Sequence, residues 1–258
     1  MPELQIAKCG SGPALVMLHG WAMHGGVFTP LVTRLQQEFT LYLVDLPGHG
    51  HSADSSIALE LDACARQIAM QTPRALWLGW SLGGLVALHA AQRLPDSVRG
   101  LVMICASARF VRADDWPQGM DDSVFHGFAD ALARDYRGTI DRFLLLEAQG
   151  SDHVRDDVRL LRQQVFAFGE PSREKLGEGL AVLQDSDLRA GLPSMEMPSL
   201  WIAGRRDRLV SPPAMQACAQ AARHGQFARI EGGGHAPFLT HGDEVANAIR
   251  QFAQALPA

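Results

Sequence analysis

The sequence predicts an α/β protein: a mostly parallel, doubly wound sheet interrupted by one inserted helical cap. Three observations lead there. Six short apolar runs recur along the chain, segments of helical periodicity separate them, and the alternation lapses once, between about Phe110 and Leu188. A chain of 258 residues that is 47% hydrophobic and 20% charged can bury a full core without disulfides or a structural metal.

The apolar runs are Ala14–Leu18, Leu41–Val44, Ala75–Leu78, Leu101–Cys105, Leu200–Ala203 and Phe227–Ile230. Their hydrophobicity is continuous rather than alternating, as a strand covered on both faces requires. Between them, Ile57–Gln71 and Leu82–Arg93 read as helices, giving the strand and helix alternation of an α/β fold. Inside the lapse, Ser123–Tyr136, Thr139–Ala148 and Asp152–Phe166 have helical spacing, the last with Val154, Val158, Leu161 and Val165 on one face. The expected division is a core of residues 1–109 and 189–258 with a cap of residues 110–188.

Charge and composition narrow the function classes. A net charge of −5 supplies no overall positive field for nucleic acid or an anionic membrane surface. No apolar run approaches the ~18 residues of a bilayer span. The stretch Met1 to Lys8 lacks the basic head, apolar run and cleavage pattern of a secretory signal. A cytoplasmic monomer is the expectation, with no nucleic-acid or membrane partner. Cys9, Cys64, Cys105 and Cys218 are widely spaced, without a CxxC pair or Cys/His metal spacing, and read as reduced packing residues. Neither metal nor organic cofactor is expected.

The chemistry starts at Gly79-Trp80-Ser81-Leu82-Gly83, which follows one apolar run and opens the helix at Leu82. Gly-x-Ser-x-Gly between a buried strand and a helix is a nucleophile elbow: the turn is so sharp that only small residues fit beside the serine, whose hydroxyl is thrust out at the carboxyl edge of the sheet. A serine hydroxyl is a poor nucleophile near neutral pH. It needs a base to take its proton and an acid to orient that base.

Among ten histidines, His224, His235 and His241 lie late enough in the chain to supply the base. His235 is best placed, because Gly232, Gly233 and Gly234 let a loop carry its imidazole over the serine. For the acid, Asp207 follows the run Leu200–Ala203, and Asp45 after Leu41–Val44 competes but leads into the turn Leu46-Pro47-Gly48-His49-Gly50. The oxyanion of a tetrahedral intermediate needs two backbone donors. The amides of Leu82 and of Trp21, in His19-Gly20-Trp21, are the candidates, with His19 a structural hydrogen bonder.

Taken together, His19-Gly20-Trp21, Asp45 to Gly50, Gly79 to Gly84, Gly204 to Asp207 and Gly234 to Phe238 resemble the α/β-hydrolase superfamily over nearly the whole chain. Leu43 to Gly48, Trp77 to Ala87, His235 to Phe238, and in the cap Asp115-Trp116-Pro117 and Arg142-Phe143-Leu144, are similar to the pimeloyl-[acyl-carrier protein] methyl ester esterases of biotin synthesis. That resemblance implies hydrolysis of a methyl ester while the acyl chain is attached to acyl carrier protein. It also implies an acyl pocket lined by Trp21, Ser81, Leu82, His235 and the segment Phe143, Leu144, Leu145, Leu146 and Glu147, with carrier contacts from Arg142, Arg155 and Arg159.

A physical check supports the last point, since Arg155, Arg159 and Arg162 fall at i, i+4 and i+7 of a helix, one stripe, with Asp156 and Asp157 expected to point elsewhere. The chain departs from the family pattern at Gly138, where another arginine is expected beside Arg137. Ser81 argues against dehalogenase and epoxide-hydrolase chemistry, which place an aspartate at this position. A broad carboxylesterase, a cofactor-free perhydrolase or a carbon–carbon bond hydrolase could use the same triad, and a ligand receptor could carry it as a vestige.

Overall fold

All six apolar runs lie in or overlap strands, and a seventh strand precedes them. The computed structural model describes residues 4–256; Met1, Pro2 and Glu3 of the N-terminal stretch, and Pro257 and Ala258, lie outside the described residues. In chain order the strands are β1 (Ile6–Gly10), β2 (Ala14–Leu18), β3 (Thr40–Val44), β4 (Ala75–Trp80), β5 (Val98–Ile104), β6 (Ser199–Gly204) and β7 (Gly225–Ile230). They form one sheet in the order β1-β3-β2-β4-β5-β6-β7. Every pairing is parallel except β1 with β3, which is antiparallel.

The extra strand is an edge strand with a single neighbour and largely exposed side chains. Ile6-Ala7-Lys8-Cys9-Gly10 therefore never needed the continuous apolar pattern that marks β4 and β6, which are buried along their whole length.

The chain runs outward from β2 to β3 and returns to β4 on the other side of β2. That reversal opens a crevice at the carboxyl ends of β2 and β4, where α/β sheets bind their ligands. Helices α1 (Thr29–Leu35), α2 (Leu61–Gln71) and α3 (Leu82–Arg93) follow β2, β3 and β4 in turn. Helix α3 is apolar on most of its surface because it packs on α2, β4 and β5 together.

Between β5 and β6 the chain makes four helices: α4 (Asp122–Arg134), α5 (Tyr136–Ala148), α6 (Val154–Val165) and α7 (Arg173–Asp185). Where one helix is expected over Ser123–Tyr136, there is a break at Asp135, whose carboxylate leaves α4 and caps α5 by accepting from the Gly138 amide at 3.0 Å. That carboxylate occupies the space a side chain at position 138 would fill, which gives Gly138 a local role in place of the expected arginine. Arg137 beside it pairs with Glu170 at 2.8 Å. Helices α8 (Pro212–Ala221), α9 (Pro237–Thr240) and α10 (Gly242–Gln254) complete the fold. No described helix is long and apolar enough to cross a membrane.

Candidate active site

Ser81 occupies the turn from β4 into α3 with φ 53° and ψ −120°, a conformation that only a surrounding structure can impose on a residue with a side chain. The glycines around it explain how. A Cβ on Gly79 would strike the Gly83 carbonyl, and one on Gly83 would strike the carbonyl of Leu18 at the end of β2. The turn can close this tightly against the neighbouring strand only with hydrogen at both positions.

His235 and Asp207 meet at the same edge. Asp207 Oδ2 lies 2.8 Å from His235 Nδ1, with both side chains fully buried. The other Asp207 oxygen accepts from the amides of Leu209 at 2.8 Å and Val210 at 3.0 Å, so the carboxylate cannot swing. With Nδ1 donating to Asp207, Nε2 is left as the basic nitrogen.

The main chain of His235 is held on both sides: its carbonyl accepts from the Trp80 indole at 2.8 Å, and its amide donates to the Glu147 carbonyl at 3.2 Å. Ser81 Oγ and His235 Nε2 are both buried and make no hydrogen bond with any described group. Contacts of this kind often tighten only around a substrate.

The turn after β2 is fixed by His19, which donates from Nδ1 to the Gly20 carbonyl at 2.8 Å and accepts at Nε2 from the Leu46 amide at 2.9 Å. Burial pushes its pKa well below the ordinary range, so it is a neutral strut. Trp21 follows, with its indole donating to the Leu176 carbonyl of α7 at 2.8 Å and its ring 4.6 Å from that of Phe143 in α5. Leu82 opens α3, where the first amides have no acceptor within the helix. Trp21 and Leu82 thus sit beyond the carboxyl ends of two adjacent parallel strands, on either side of the crevice.

The competing residues are committed elsewhere. Asp45 accepts from the amides of Gly25 at 2.7 Å and His51 at 2.8 Å. His224 lies at the opposite end of the sheet, its carbonyl accepting from the amide of Ser199 where β6 begins. His241 has its ring 5.7 Å from that of His153, at the start of α10.

The expected acyl-lining segment divides. Phe143, Leu144 and Glu147 are fully buried and Leu146 partly so, whereas Leu145 is 50% exposed and faces away from the interior. Five consecutive helical residues sweep more than a full turn, so they cannot all face one cavity. Glu147 is unusual in that neither carboxyl oxygen has a hydrogen-bond partner. Burial, reinforced by the nearby Asp207 charge, raises its pKa well above the carboxylate range and holds it neutral.

On α6, Arg155, Val158, Arg159, Arg162 and Gln163 line an open depression of about 410 Å3. Of the two acids, Asp156 differs from expectation and Asp157 does not. Asp156 reaches along the helix to pair with Arg159 at 3.1 Å, and Asp157 turns inward, buried, bonding to Ser151 and Thr240. Val154, expected on the apolar face, is 38% exposed. Arg162 pairs with Asp141 at 2.8 Å and Arg142 lies 3.7 Å from Asp135. Arg155 makes no ion pair among the described residues.

Sequence reasoning passed over Cys105 because it reads as the end of an apolar run. It adopts φ 45° just past β5, and its Sγ accepts from the Gly204 amide at 3.4 Å and lies 3.6 Å from the Gly234 carbonyl. Cys105, Asp207 and His235 form the one group among the described residues close enough to share a metal ion. Burial and the adjacent Asp207 push the thiol pKa well up, and the Asp207 oxygens and His235 Nδ1 already bond each other and the neighbouring amides; the donor set does not suit a metal, which requires a thiolate and free ligand atoms.

Comparison with known proteins gives the chain's family. The sequence profile of the α/β hydrolase fold matches residues 13–242. A pimeloyl-[acyl-carrier protein] methyl ester esterase of Stenotrophomonas maltophilia is 55% identical over 98% of this chain and 97% of its own. One from Xanthomonas oryzae pv. oryzae is 54% identical over 98% of this chain and 100% of its own. Among solved structures, an esterase from Exiguobacterium antarcticum superposes with a TM-score of 0.86 at 21% identity, covering 98% of this chain and 96% of that one. An enol-lactonase from Burkholderia xenovorans gives 0.84 at 19% identity, covering 97% and 96%. These structural likenesses speak to the fold alone.

Proposed function

The chain belongs to the pimeloyl-[acyl-carrier protein] methyl ester esterases, within the α/β hydrolase fold, and from that premise we propose that it hydrolyses the methyl ester of pimeloyl-[acyl-carrier protein] in biotin synthesis. Methanol and the free distal carboxylate are the products. The observation that carries the catalytic part of this reading is the buried 2.8 Å Asp207–His235 pair at the sheet edge that bears the strained Ser81.

Ser81 Oγ attacks the ester carbonyl while His235 Nε2 takes its proton. The oxyanion is received by the amides of Trp21 and Leu82, with the positive end of the α3 dipole behind them. His235 returns the proton to the departing methoxide, releasing methanol and leaving an acyl-enzyme. Water, deprotonated by the same nitrogen, then cleaves the acyl-enzyme and restores Ser81. Asp207 holds the imidazole in the correct tautomer and balances the charge it gains.

Residues 110–188 act as a cap over this machinery. Trp21, Leu82, Phe143, Leu144, Leu146 and the neutral Glu147 border the acyl chain. The arginine face of α6 meets the acidic carrier outside. Arg155 is its most available cation, and Arg159 and Arg142 exchange their present acidic neighbours for the carrier's.

The test supplies the carrier-bound methyl ester and, separately, free methyl and p-nitrophenyl esters to the parent, Ser81→Ala and Arg155→Glu proteins. Ser81→Ala is expected to lose activity by on the order of 1,000-fold or more on every substrate. Arg155→Glu is expected to lose about 10-fold in kcat/KM on the carrier-bound ester alone. Retained turnover by Ser81→Ala overturns the mechanism. Arg155→Glu indistinguishable from the parent on the carrier-bound ester overturns carrier docking at α6.

A further inference from the structure

The base sits at the end of a loop with almost nothing of its own to hold it. Glu231-Gly232-Gly233-Gly234 precedes His235, and three glycines give this stretch the largest backbone entropy available to a chain while offering no side chain to pack. The position of His235 must therefore be imposed from outside. Trp80 does so from the core, as described.

The second set of ties comes from residues 149–153, the turn between α5 and α6. The Asp152 amide donates to the Gly232 carbonyl at 3.1 Å, and the Arg206 amide donates to the next carbonyl, Gly233, at 3.0 Å. The Asp152 carboxylate and Arg206 guanidinium form an ion pair. One Asp152 oxygen also fills the space where a side chain on Gly232 would begin. On the same turn, Gly150 adopts φ +93° and lies so close to the Arg206 carbonyl that a Cβ there would collide with it. Arg206 is the residue before Asp207. The pair thus closes a ring joining the acid loop, the base loop and the insertion.

We propose that Asp152 is a positioning residue for His235, acting through Arg206 and the glycine loop. The pair is about half exposed, 44% and 43% for the two side chains, so it contributes little to overall stability. Its effect falls on geometry, where a displacement of about 1 Å can cost as much as 100-fold in rate. Because Arg155 follows three residues later at the start of α6, carrier docking on that helix would load the same turn.

This inference rests on the proposed triad, and the experiment separates the two. Asp152→Asn, Arg206→Gln and the double variant are assayed on p-nitrophenyl acetate, which needs no carrier, alongside thermal melts and Ser81→Ala. Each single variant is expected to lower kcat about 5- to 10-fold, with KM changed less than about 2-fold and Tm within about 2 °C of the parent. The double variant should be no worse than either single one, since both remove the same contact. Parental kcat in the single variants overturns the inference. So do losses that add in the double variant or that track a fall in Tm. If Ser81→Ala remains active, the triad itself fails; if it is inactive while Asp152→Asn runs at the parental kcat, the positioning role alone fails.

Discussion

At the edge of the sheet that carries Ser81, glycines stand where a methyl group would strike main chain; in the helical insertion, Gly127, Gly169 and Gly177 face open space. Side chains on Gly79, Gly83 or Gly204 would collide with the carbonyls of Gly83, Leu18 and Gly234, while nothing lies within 4 Å of the corresponding position on Gly127 in α4 or Gly177 in α7. The polar groups differ in the same sense. Asp207 has both oxygens engaged at the edge, whereas Glu147 in α5 has neither, and Asp157 in α6 has one oxygen without a partner. Elsewhere the insertion is tight: a Cβ on Gly119 would strike the Arg112 amide, one on Gly138 the Asp135 carboxylate and one on Gly150 the Arg206 carbonyl, and Gly179 lies close against Leu59, Trp21 and Leu82. The edge admits one geometry because its clashes are with main chain, whereas Gly127 and Gly177 leave their helices room for a larger residue.

The same substitution at the two glycine classes offers the sharpest contrast. Gly83→Ala is expected to cost more than about 3 kcal/mol, because the clash is with backbone that cannot rotate away. Urea denaturation measures it, and a loss below about 1 kcal/mol would mean that the edge is not close-packed in the way described.

Next in size is the response to pH, which should differ in sign between the regions. Burial lowers the pKa of His49 from 6.5 to about 4, and also lowers that of His19. Both stay neutral when folded, while the unfolded chain binds protons near pH 6.5. Their stabilisation is therefore complete above that pH and lost as the pH falls toward 4. His49 alone accounts for roughly 3 kcal/mol at about 1.4 kcal/mol per unit.

Glu147 behaves oppositely. Its folded pKa is raised, chiefly by burial, while the unfolded chain releases the proton near 4.5, so its stabilisation is complete below that pH and lost as the pH rises. Glu147→Gln should remove the alkaline loss and leave the acid one. Equal pH slopes for this variant and its parent above pH 5 would show that Glu147 is not held neutral.

The smallest effect closes the contrast begun with Gly83. Gly127→Ala should stabilise by about 0.5–1 kcal/mol, since the methyl meets nothing and the unfolded chain loses freedom. A fall in Tm would place a neighbour over α4 that the present packing does not contain.

Local signals account for what was legible beforehand. Ser81 is readable because an elbow is written in five residues and the strand and helix beside it. His235 is readable because its glycines adjoin it, and β2, β4, β5 and β6 because burial on both faces leaves an uninterrupted apolar run. The edge strand β1 escaped because half its surface meets water. Leu145 and Leu144 are identical in kind, and only the way α5 lies on the core separates the exposed one from the buried one.

By itself, then, the sequence determined the fold class, the strand that ends at Ser81 and the turns that carry Asp207 and His235, since each depends on residues within a turn or two. Tertiary structure alone decided that Glu147 is a buried carboxyl group without a partner, that Asp156 answers Arg159, and that Asp152 reaches Arg206 across 54 positions beside the base loop. Those facts depend on distance and dielectric between groups far apart in the chain, which no local pattern of residues encodes.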